Sequence, residues 1–457
     1  MSPRDEESIG KVSERRAPTI TADGKRLWIY PERRDGPWAR IRKMVGYSLI
    51  LVYLGLPHLT MQGRPCLRVD VFAKKFYFFG GVFRLNDLAY VAAALILACL
   101  FLFWTTSLRG RLWCGFGCPQ TVFIEWVIRP IEELLEGSAH RRRSLDSGRL
   151  SFAQKARKIL KHTIFITIAV LVANNFLLYF IPPKTLFTLI LTPPLENPFA
   201  FSFMAVNLAA FYLNFAWFRE QFCAFLCPYA RLQAIMIDQK TQAVSYDYNR
   251  GEPRSRKKSA KGDCIDCKLC VRVCPTGIDI RNGPQLECIQ CLRCADACNG
   301  IMKNLKREEG LIRLASAAEI KDGEKDKSIR LRPWFYGAGF CGILLGLFIH
   351  FVTRPALKAT MTRMTNVPIS KLEGNLTGNM FRLRLENLSD KKMAMSVSSL
   401  DENIKVLCGG CKGEIMPFSE QLLMVLIAFD KEKIGGKNTV SIEIDATREK
   451  MTLPLLY

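Results

Sequence analysis

Residues 264–298 read CIDCKLCVRVCPTGIDIRNGPQLECIQCLRCADAC. This stretch contains the spacing Cys-x2-Cys-x2-Cys-x3-Cys twice, with Pro275 directly after the first array and Asn299 directly after the second. Bacterial proteins that hold two [4Fe–4S] clusters use this double spacing. Zinc sites use four ligands at Cys-x2-Cys…Cys-x2-Cys spacing, which explains the double array poorly. The stretch therefore predicts a ferredoxin-like domain of the α+β class with two [4Fe–4S] clusters.

The same spacing predicts which cysteines share a cluster. Three thiolates from one tight loop wrap one side of a cluster. The fourth cysteine of that array lies on the following helix and points toward the other cluster. The first predicted set is Cys264, Cys267, Cys270 and Cys298. The second predicted set is Cys274, Cys288, Cys291 and Cys294.

The composition around this stretch indicates a membrane protein. The chain has 457 residues, 49% of them hydrophobic, with 17 cysteines and a formal net charge of +23. The apolar content excludes a disordered chain, and the length excludes a small disulfide-stapled scaffold. Nucleic-acid binding is not expected, because the basic residues cluster at the ends of apolar runs and form no basic face with interleaved aromatic residues.

Five apolar segments are long enough to predict membrane-spanning helices, since one crossing needs roughly 20 apolar residues. The first of them is preceded by Arg40, Arg42 and Lys43 and ends at Pro57-His58. The predicted spans are residues 45–59, 88–106, 159–181, 201–217 and 334–352.

Lysine and arginine near the span ends predict the orientation of the chain. The runs at residues 141–143 and 254–258 are strongly basic, whereas the loop 182–200 contains only Lys184. The N-terminus and residues 218–333 are therefore predicted to be cytoplasmic, with the C-terminus outside. The basic loop 60–87 does not fit this orientation. The basic runs are interpreted as anchors that contact anionic membrane lipid.

Beyond the fifth span, apolar residues alternate with polar ones, as in Phe381-Leu383-Leu385 and Val440-Ile442-Ile444. This pattern predicts an immunoglobulin-like β-sandwich. The predicted domains are a basic N-terminal segment (1–43), a transmembrane region (44–222), the ferredoxin-like domain (223–333), a fifth span (334–352) and the β-sandwich (353–457).

Four further cysteines form two Cys-x3-Cys-Pro motifs at the predicted cytoplasmic edge of spans two and four. We call Cys114, Cys118, Cys223 and Cys227 the boundary cysteines. Residues four apart on a helix share a face, so each pair is expected to present two thiolates together. The duplication makes them a candidate copper site or an additional redox site. The alternative is that they are small buried apolar residues.

Cys408 and Cys411, in the C-terminal region, have three interpretations: a disulfide, a copper-binding pair or a turn. We favour the disulfide and assign it no function. Met361 begins a methionine-bearing stretch, and methionine binds Cu(I), although packing is the preferred reading.

Taken together, these motifs resemble the FixG/CcoG/RdxA family of cytochrome c oxidase accessory proteins. The resemblance rests on residues 113–120 (WCGFGCPQ), residues 223–231 (CAFLCPYAR), the two cysteine arrays, a final span and a C-terminal β domain. It implies a protein of the bacterial inner membrane that reduces Cu(II) to Cu(I) for maturation of the cbb3-type oxidase. It also implies oxidase assembly factors or copper chaperones as partners. Residues 408–411 do not map onto the family pattern.

Two other functions remain open from the sequence. One is a relay subunit that oxidises quinol and feeds a periplasmic reductase, as in NapH-like proteins. The other is a non-catalytic assembly scaffold in which the clusters only stabilise the fold. The sequence does not identify the electron donor or the direction of electron flow, because cluster potentials depend on hydrogen bonds and solvent around the sulfurs.

Overall fold

A computed structural model gives the three-dimensional structure of the chain. It divides the chain into two compact units, residues 1–344 and 345–457. Each unit is described by itself. The described residues are 19–20, 26–61, 63–71, 75–84, 88–255, 261–323, 330–353, 357–364, 370–372, 376–387, 392–399, 404–410, 412–417, 419–430, 439–444 and 449–454.

Helix α1 and two small antiparallel sheets open the first unit. Strands β1 and β2 form one sheet, and β3, β4 and β5 form the other. In chain order the elements are α1 (Pro37–Gly55), β1 (Thr60–Met61), β2 (Arg64–Pro65), β3 (Leu67–Asp70), β4 (Lys75–Phe78) and β5 (Gly81–Arg84).

Helices then dominate up to residue 236, and three π-helical turns interrupt them, at Ile124–Ile128, Asn214–Phe218 and Phe222–Leu226. The helices are α2 (Leu88–Arg109), α3 (Leu112–Phe116), α4 (Pro119–Phe123), α5 (Arg129–Glu136), α6 (Ala139–Ser147), α7 (Phe152–Leu177), α8 (Pro183–Leu191), α9 (Pro198–Leu213) and α10 (Pro228–Met236).

Four described helices are long and apolar enough to cross a membrane: Ala92–Arg109, Phe152–Leu177, Pro198–Phe218 and Leu331–His350. They correspond to predicted spans two to five. The predicted first span, residues 45–59, is not among them. Its helix α1 ends at Gly55, and the three basic residues in its first half lower its apolar character.

The two ends of α1 nevertheless contact parts of the molecule that lie far apart. Near its start, two backbone N–H groups donate to the carboxylate of Asp296 in the cysteine-rich domain. Near its end, the Tyr53 hydroxyl donates to the carbonyl of Val172, and the Asn175 amide donates to the carbonyl of Tyr53. Helix α1 therefore reaches from the cysteine-rich domain to the far end of α7.

The cysteine-rich domain is built on a two-stranded antiparallel sheet in which Val244 pairs with Leu314 and Tyr246 with Ile312. Short helices flank this sheet, and its apolar core contains Leu292 and several cysteines. Its elements are β6 (Ala243–Tyr246), α11 (Tyr248–Gly251), α12 (Leu269–Arg272), α13 (Arg293–Asn304), β7 (Ile312–Ala315) and α14 (Ala317–Asp322), followed by α15 (Leu331–Val352).

The second unit contains two antiparallel sheets around one apolar core. One sheet has the order β12-β14-β10-β8, with β9 beside β10, and the other has the order β13-β11-β15-β16. Residues of both sheets, among them Phe381 and Ile415, form a single buried cluster, so this unit is a β-sandwich. The strands are β8 (Leu357–Arg363), β9 (Ser370–Leu372), β10 (Leu376–Asn387), β11 (Met393–Ser399), β12 (Ile404–Cys408), β13 (Lys412–Ile415), β14 (Glu420–Asp430), β15 (Thr439–Ile444) and β16 (Glu449–Pro454).

Alternation along β10 agrees with the sequence pattern, because Phe381, Leu383 and Leu385 are buried in this core. The immunoglobulin-like type of the sandwich stays a prediction. Met361 packs against the same core, which supports its structural reading. Cys408 is disulfide-bonded, whereas Cys411 lies outside the described residues.

Candidate functional site

The two cysteine arrays have the same backbone conformation at matching positions. Asp266 and Lys268 have φ angles of 49° and 55°, and their counterparts Gln290 and Leu292 have φ angles of 53° and 58°. Left-handed residues alternating with ordinary ones curl a loop tightly, so that backbone N–H groups point to one side of it. Each array therefore forms a loop that wraps around a common centre.

Two cavities lie at these centres, and each is lined by one of the two predicted cysteine sets. The first cavity is lined by Cys264, Cys267, Cys270 and Cys298, with apolar residues such as Met302. The second cavity is lined by Cys274, Cys288, Cys291 and Cys294, and Cys270 lines both cavities. The fourth cysteine of each array thus reaches the cavity of the other array, as the spacing predicts.

The cysteine donors fit a cluster rather than a single ion. Among the described residues, no three Cys, His, Asp or Glu side chains lie close enough to hold one metal ion. Eight sulfur donors are instead spread around two apolar cavities. A cuboidal [4Fe–4S] cluster needs four thiolates at well-separated corners and a poorly solvated setting.

The thiols of both sets are buried, and burial shifts their ionisation. Burial raises the pKa of Cys288 and of Cys298 to about 12 and raises the pKa of Cys294 well above its usual value. A thiolate in such a setting needs a nearby positive charge. Iron supplies that charge, so cluster binding and thiol deprotonation are coupled in these cavities.

The second cavity lies directly against the first Cys-x3-Cys-Pro motif. A Cβ atom on Gly115 would lie 2.6 Å from the carbonyl oxygen of Ile289 and 3.0 Å from Cys291. Cys114 packs with these same two residues in one buried cluster. Helix α3 and the loop of the second array are therefore in van der Waals contact, with no room for a side chain between them.

The two motifs share a local geometry that differs from the predicted helical pairing. Cys118 and Cys227 have extended ψ angles of 125° and 110°, and each precedes the first residue of a new helix. Each backbone N–H donates, over 2.9 Å, to the carbonyl five residues earlier, in Trp113 and Phe222 respectively. Neither pair lies on one continuous helix, because a residue before proline disfavours the α conformation.

The four boundary cysteines lie within electrostatic reach of one another, but among the described residues no three of them are close enough to hold one metal ion. Burial is the largest cause that raises the pKa of Cys223, followed by the negative charges that Cys118, Cys114 and Cys227 would carry as thiolates. Burial likewise raises the pKa of Cys114 and of Cys118. These thiols therefore stay protonated unless a cation binds or an electron acceptor oxidises them.

Polar side chains hold the two motifs together. Gln120, which follows the first motif, forms two amide hydrogen bonds with Asn214, at 2.8 Å and 2.5 Å. Its amide also donates to the carbonyl of Arg219 over 3.0 Å. The Cys114 thiol donates to Gln233 over 3.3 Å. Three π-helical turns surround this region, and such turns are frequent at functional sites.

A buried network of ion pairs lies beside the second motif, and the sequence reading missed it. Arg219 donates to both carboxylate oxygens of Glu132, at 2.6 Å and 3.3 Å. Arg142 pairs with the same carboxylate at 3.0 Å and is 2% exposed. Arg129 pairs with Glu125. Arg142 is thus not a lipid anchor, and the acidic residues of α5 were the signal that could have shown this.

An open cleft adjoins the first cavity. It has a volume of about 350 Å³ and is lined by Tyr248, Pro284 and Lys321, among others. Tyr246 and Arg281 line both the cleft and the first cavity. The first cavity therefore adjoins the solvent-exposed cleft at Tyr246 and Arg281. The second cavity instead adjoins Cys114, one of the boundary cysteines.

Comparisons with protein families and with curated proteins agree with each other. Residues 218–317 match a family described as a 4Fe-4S dicluster domain, and residues 91–142 match a 4Fe-4S binding domain. Protein RdxB of Cereibacter sphaeroides is 32% identical over 403 residues, which are 84% of this chain and 84% of RdxB. Protein RdxA of the same organism is 31% identical and covers 81% of this chain and 82% of RdxA.

Nitrogen fixation protein FixG of Rhizobium meliloti is 37% identical over 311 residues, which are 65% of this chain and 58% of FixG. The match thus spans less than two thirds of FixG. A solved structure of a FixG-related protein from Vibrio parahaemolyticus has a TM-score of 0.18 and 11% identity. It covers 22% of this chain and 93% of its own. A likeness at that level carries no weight here.

Proposed function

This chain belongs to the FixG/RdxA family, and from that premise we propose that it reduces Cu(II) to Cu(I) for maturation of a cbb3-type cytochrome c oxidase. The chain is a membrane protein with two [4Fe–4S] clusters and a role in iron–sulfur electron transfer. The reduction of copper is the part that we propose in addition to this role. One electron from a reduced cluster converts one Cu(II) to one Cu(I), and no proton or bond changes.

The contact between the second cavity and the first motif supports this proposal most directly. Cys114 packs on Ile289 and Cys291, so an electron held at the second set has a short path to the boundary cysteines. Thiolates are soft ligands that select Cu(I). We assign Cys264, Cys267, Cys270 and Cys298 to one cluster and Cys274, Cys288, Cys291 and Cys294 to the other. The boundary cysteines are the proposed place where copper is reduced.

The proposed setting is the bacterial inner membrane, with the ferredoxin-like domain in the cytoplasm and the β-sandwich in the periplasm. Proposed partners are membrane lipid, oxidase assembly factors or copper chaperones, and an electron donor that reaches the cytoplasmic domain or the membrane. Basic runs at residues 141–143 and 254–258 support the cytoplasmic placement.

The test is EPR spectroscopy of the anaerobically purified, dithionite-reduced protein during titration with Cu(II), with Cu(I) measured by a chelating dye. We expect signals of two interacting reduced clusters that disappear as Cu(I) accumulates. In C114S/C118S the clusters should form, but Cu(I) should appear about 100-fold more slowly, because a buried electron path ends at the missing thiols.

The matched control is C341S, since Cys341 is an isolated, exposed cysteine in α15. It should reduce copper at the rate of the unaltered protein. Clusters that stay reduced in excess Cu(II) would contradict the copper proposal and favour the quinol-relay alternative. An absence of clusters, with zinc in their place, would overturn the cluster assignment as well.

A further inference from the structure

The two cysteine-lined cavities differ in the charges around them. Three buried arginines act on the second cavity: Arg42, Arg111 and Arg293, which are 1%, 4% and 7% exposed. The charges of Arg42 and Arg293 act on Cys291, and that of Arg111 acts on Cys288. They come from three different elements: α1, the turn between α2 and α3, and the start of α13.

Carboxylates neutralise little of this positive charge. Arg42 donates through Nε to the carbonyl of Gly115 over 3.0 Å, and its Nη2 atom has no hydrogen-bond partner among the described residues. Asp296 is the acid that acts on Arg42, and its oxygens accept from the backbone N–H groups at the start of α1. No ion pair of Arg42 occurs within the described part of the chain.

The other two arginines are similarly short of acidic partners. Arg111 donates to the Gln233 amide oxygen over 2.9 Å and to the carbonyl of Leu286, and it forms no ion pair among the residues described. Arg293 pairs with Glu125 at 3.0 Å, but Glu125 also pairs with Arg129. Glu133 also acts on Arg293, but it pairs with Arg33 and Arg142, so each carboxylate near Arg293 is shared with other arginines.

The first cavity is close to neutral by comparison. Its lining arginine, Arg281, pairs with Asp279 at 2.6 Å and with Asp266 at 2.5 Å. Arg250, which acts on Cys298, pairs with Asp263 at 3.0 Å. Lys268 also lines this cavity. It is only half-buried, so water screens its charge.

A difference in nearby charge of this kind gives two otherwise similar clusters different reduction potentials. Reduction adds one negative charge to a cluster, and a nearby buried cation stabilises that charge far more than an exposed or paired one. We propose that Arg42, Arg111 and Arg293 give the cluster of the second set the higher reduction potential. An electron shared by the two sets then resides mainly at the second, beside the boundary cysteines, while the first faces the open cleft.

This inference rests on the proposed function, because it concerns the same two clusters, and the test separates the two. The experiment is an EPR-monitored redox titration of the full-length, cluster-loaded protein. In R42Q the higher of the two midpoint potentials should fall and the lower should stay in place. We expect about a tenfold drop in the reduced-to-oxidised ratio at a fixed ambient potential, which is about 59 mV for one electron.

Two further variants keep the test decisive. R42K retains the charge and should restore the potential, which a merely structural role of Arg42 would not require. R111Q removes a second arginine from a different element and should also lower the higher potential. If R42Q loses its clusters, R111Q carries the test alone.

The matched control is R281Q, which leaves Asp266 and Asp279 without their cation and should lower only the lower potential. The inference would be overturned if R42Q and R111Q shifted the lower potential, or if they shifted neither potential. Either result would leave the copper-reduction proposal standing. Normal potentials together with failed copper reduction in the unaltered protein would overturn the proposed function alone.

Discussion

At the scale of single residues, burial determines whether a charged side chain forms a structural ion pair or stays in solvent. The run at residues 141–143 reads as three equivalent basic residues, yet the structure separates them. Arg142 is buried between Glu132 and Glu133, with nitrogen–oxygen distances of 3.0 Å and 3.7 Å, whereas Arg141 is exposed. The basic run alone therefore does not reveal that Arg142 forms a buried ion pair while Arg141 remains exposed.

This difference predicts the effect of substituting each arginine by methionine. R142M leaves Glu132 buried with fewer cations and should lower the free energy of unfolding by about 3 kcal/mol, as for other broken buried pairs. R141M removes an exposed charge and should change the stability by less than about 0.5 kcal/mol. Thermal unfolding of the detergent-solubilised protein, followed by circular dichroism, measures both. Equal losses in the two variants would show that Arg142 is no more structural than its neighbour.

The cysteines that line each cavity agree with the sequence spacing, because one short loop brings three of them together, while their assignment to two clusters stays a prediction. The position of Arg42 beside Cys291 could not be predicted from sequence, since these residues belong to elements far apart in the chain and meet only through the packing of α1 on the second array. The extended conformation of Cys118 and Cys227 follows from the proline after each of them, which outweighs the four-residue spacing that predicts a shared helical face.

At the scale of elements, the close packing of α3 on the second array stands out. This contact depends on Gly115, because a side chain there would meet the backbone of Ile289 and Cys291. A glycine inside a helix costs about 1 kcal/mol relative to alanine, so the close approach has to compensate for it.

Substitution of this glycine tests the contact. G115A should destabilise the protein by about 1–3 kcal/mol, since the added methyl group forces α3 away from the array. It should also slow the reoxidation of the reduced clusters by Cu(II). The control is G300A, in helix α13, where an added Cβ meets nothing within 4 Å. That substitution should be neutral or should stabilise the helix by up to about 1 kcal/mol. A tolerated G115A with normal copper reduction would contradict the role of the contact.

At the scale of the whole molecule, the order of the parts and four of the five predicted spans followed from the sequence. Long apolar runs predict helices α2, α7, α9 and α15 directly, because each contains a long apolar stretch with few charged residues. Helix α1 is harder, since its basic first half contacts the cysteine-rich domain while its second half packs along α7. The buried surroundings of its basic residues are a tertiary property that composition cannot reveal.

The contacts of α1 predict that it crosses the membrane. The Val69 backbone N–H donates to the carbonyl of Tyr179 over 2.7 Å, which places strand β3 at the far end of α7. An epitope inserted between β3 and β4 should therefore bind antibody on intact spheroplasts, whereas an N-terminal epitope should bind only after permeabilisation. If both epitopes become accessible only after permeabilisation, α1 does not cross and the crossings number four.

The start of α1 has a consequence for how the chain is made. Gly36 offers no side chain to cap the helix, and Asp296 takes that role by accepting from the N–H groups of Trp38 and Ala39. The cap therefore lies 257 residues downstream of Ala39. A ribosome adds about 5–20 residues per second, so the helix waits for its cap on the order of tens of seconds. Until Asp296 is synthesised, the N–H groups of Trp38 and Ala39 lack this acceptor. The first turn of α1 can therefore be capped only after synthesis has passed Asp296 and the second cysteine array has packed against it.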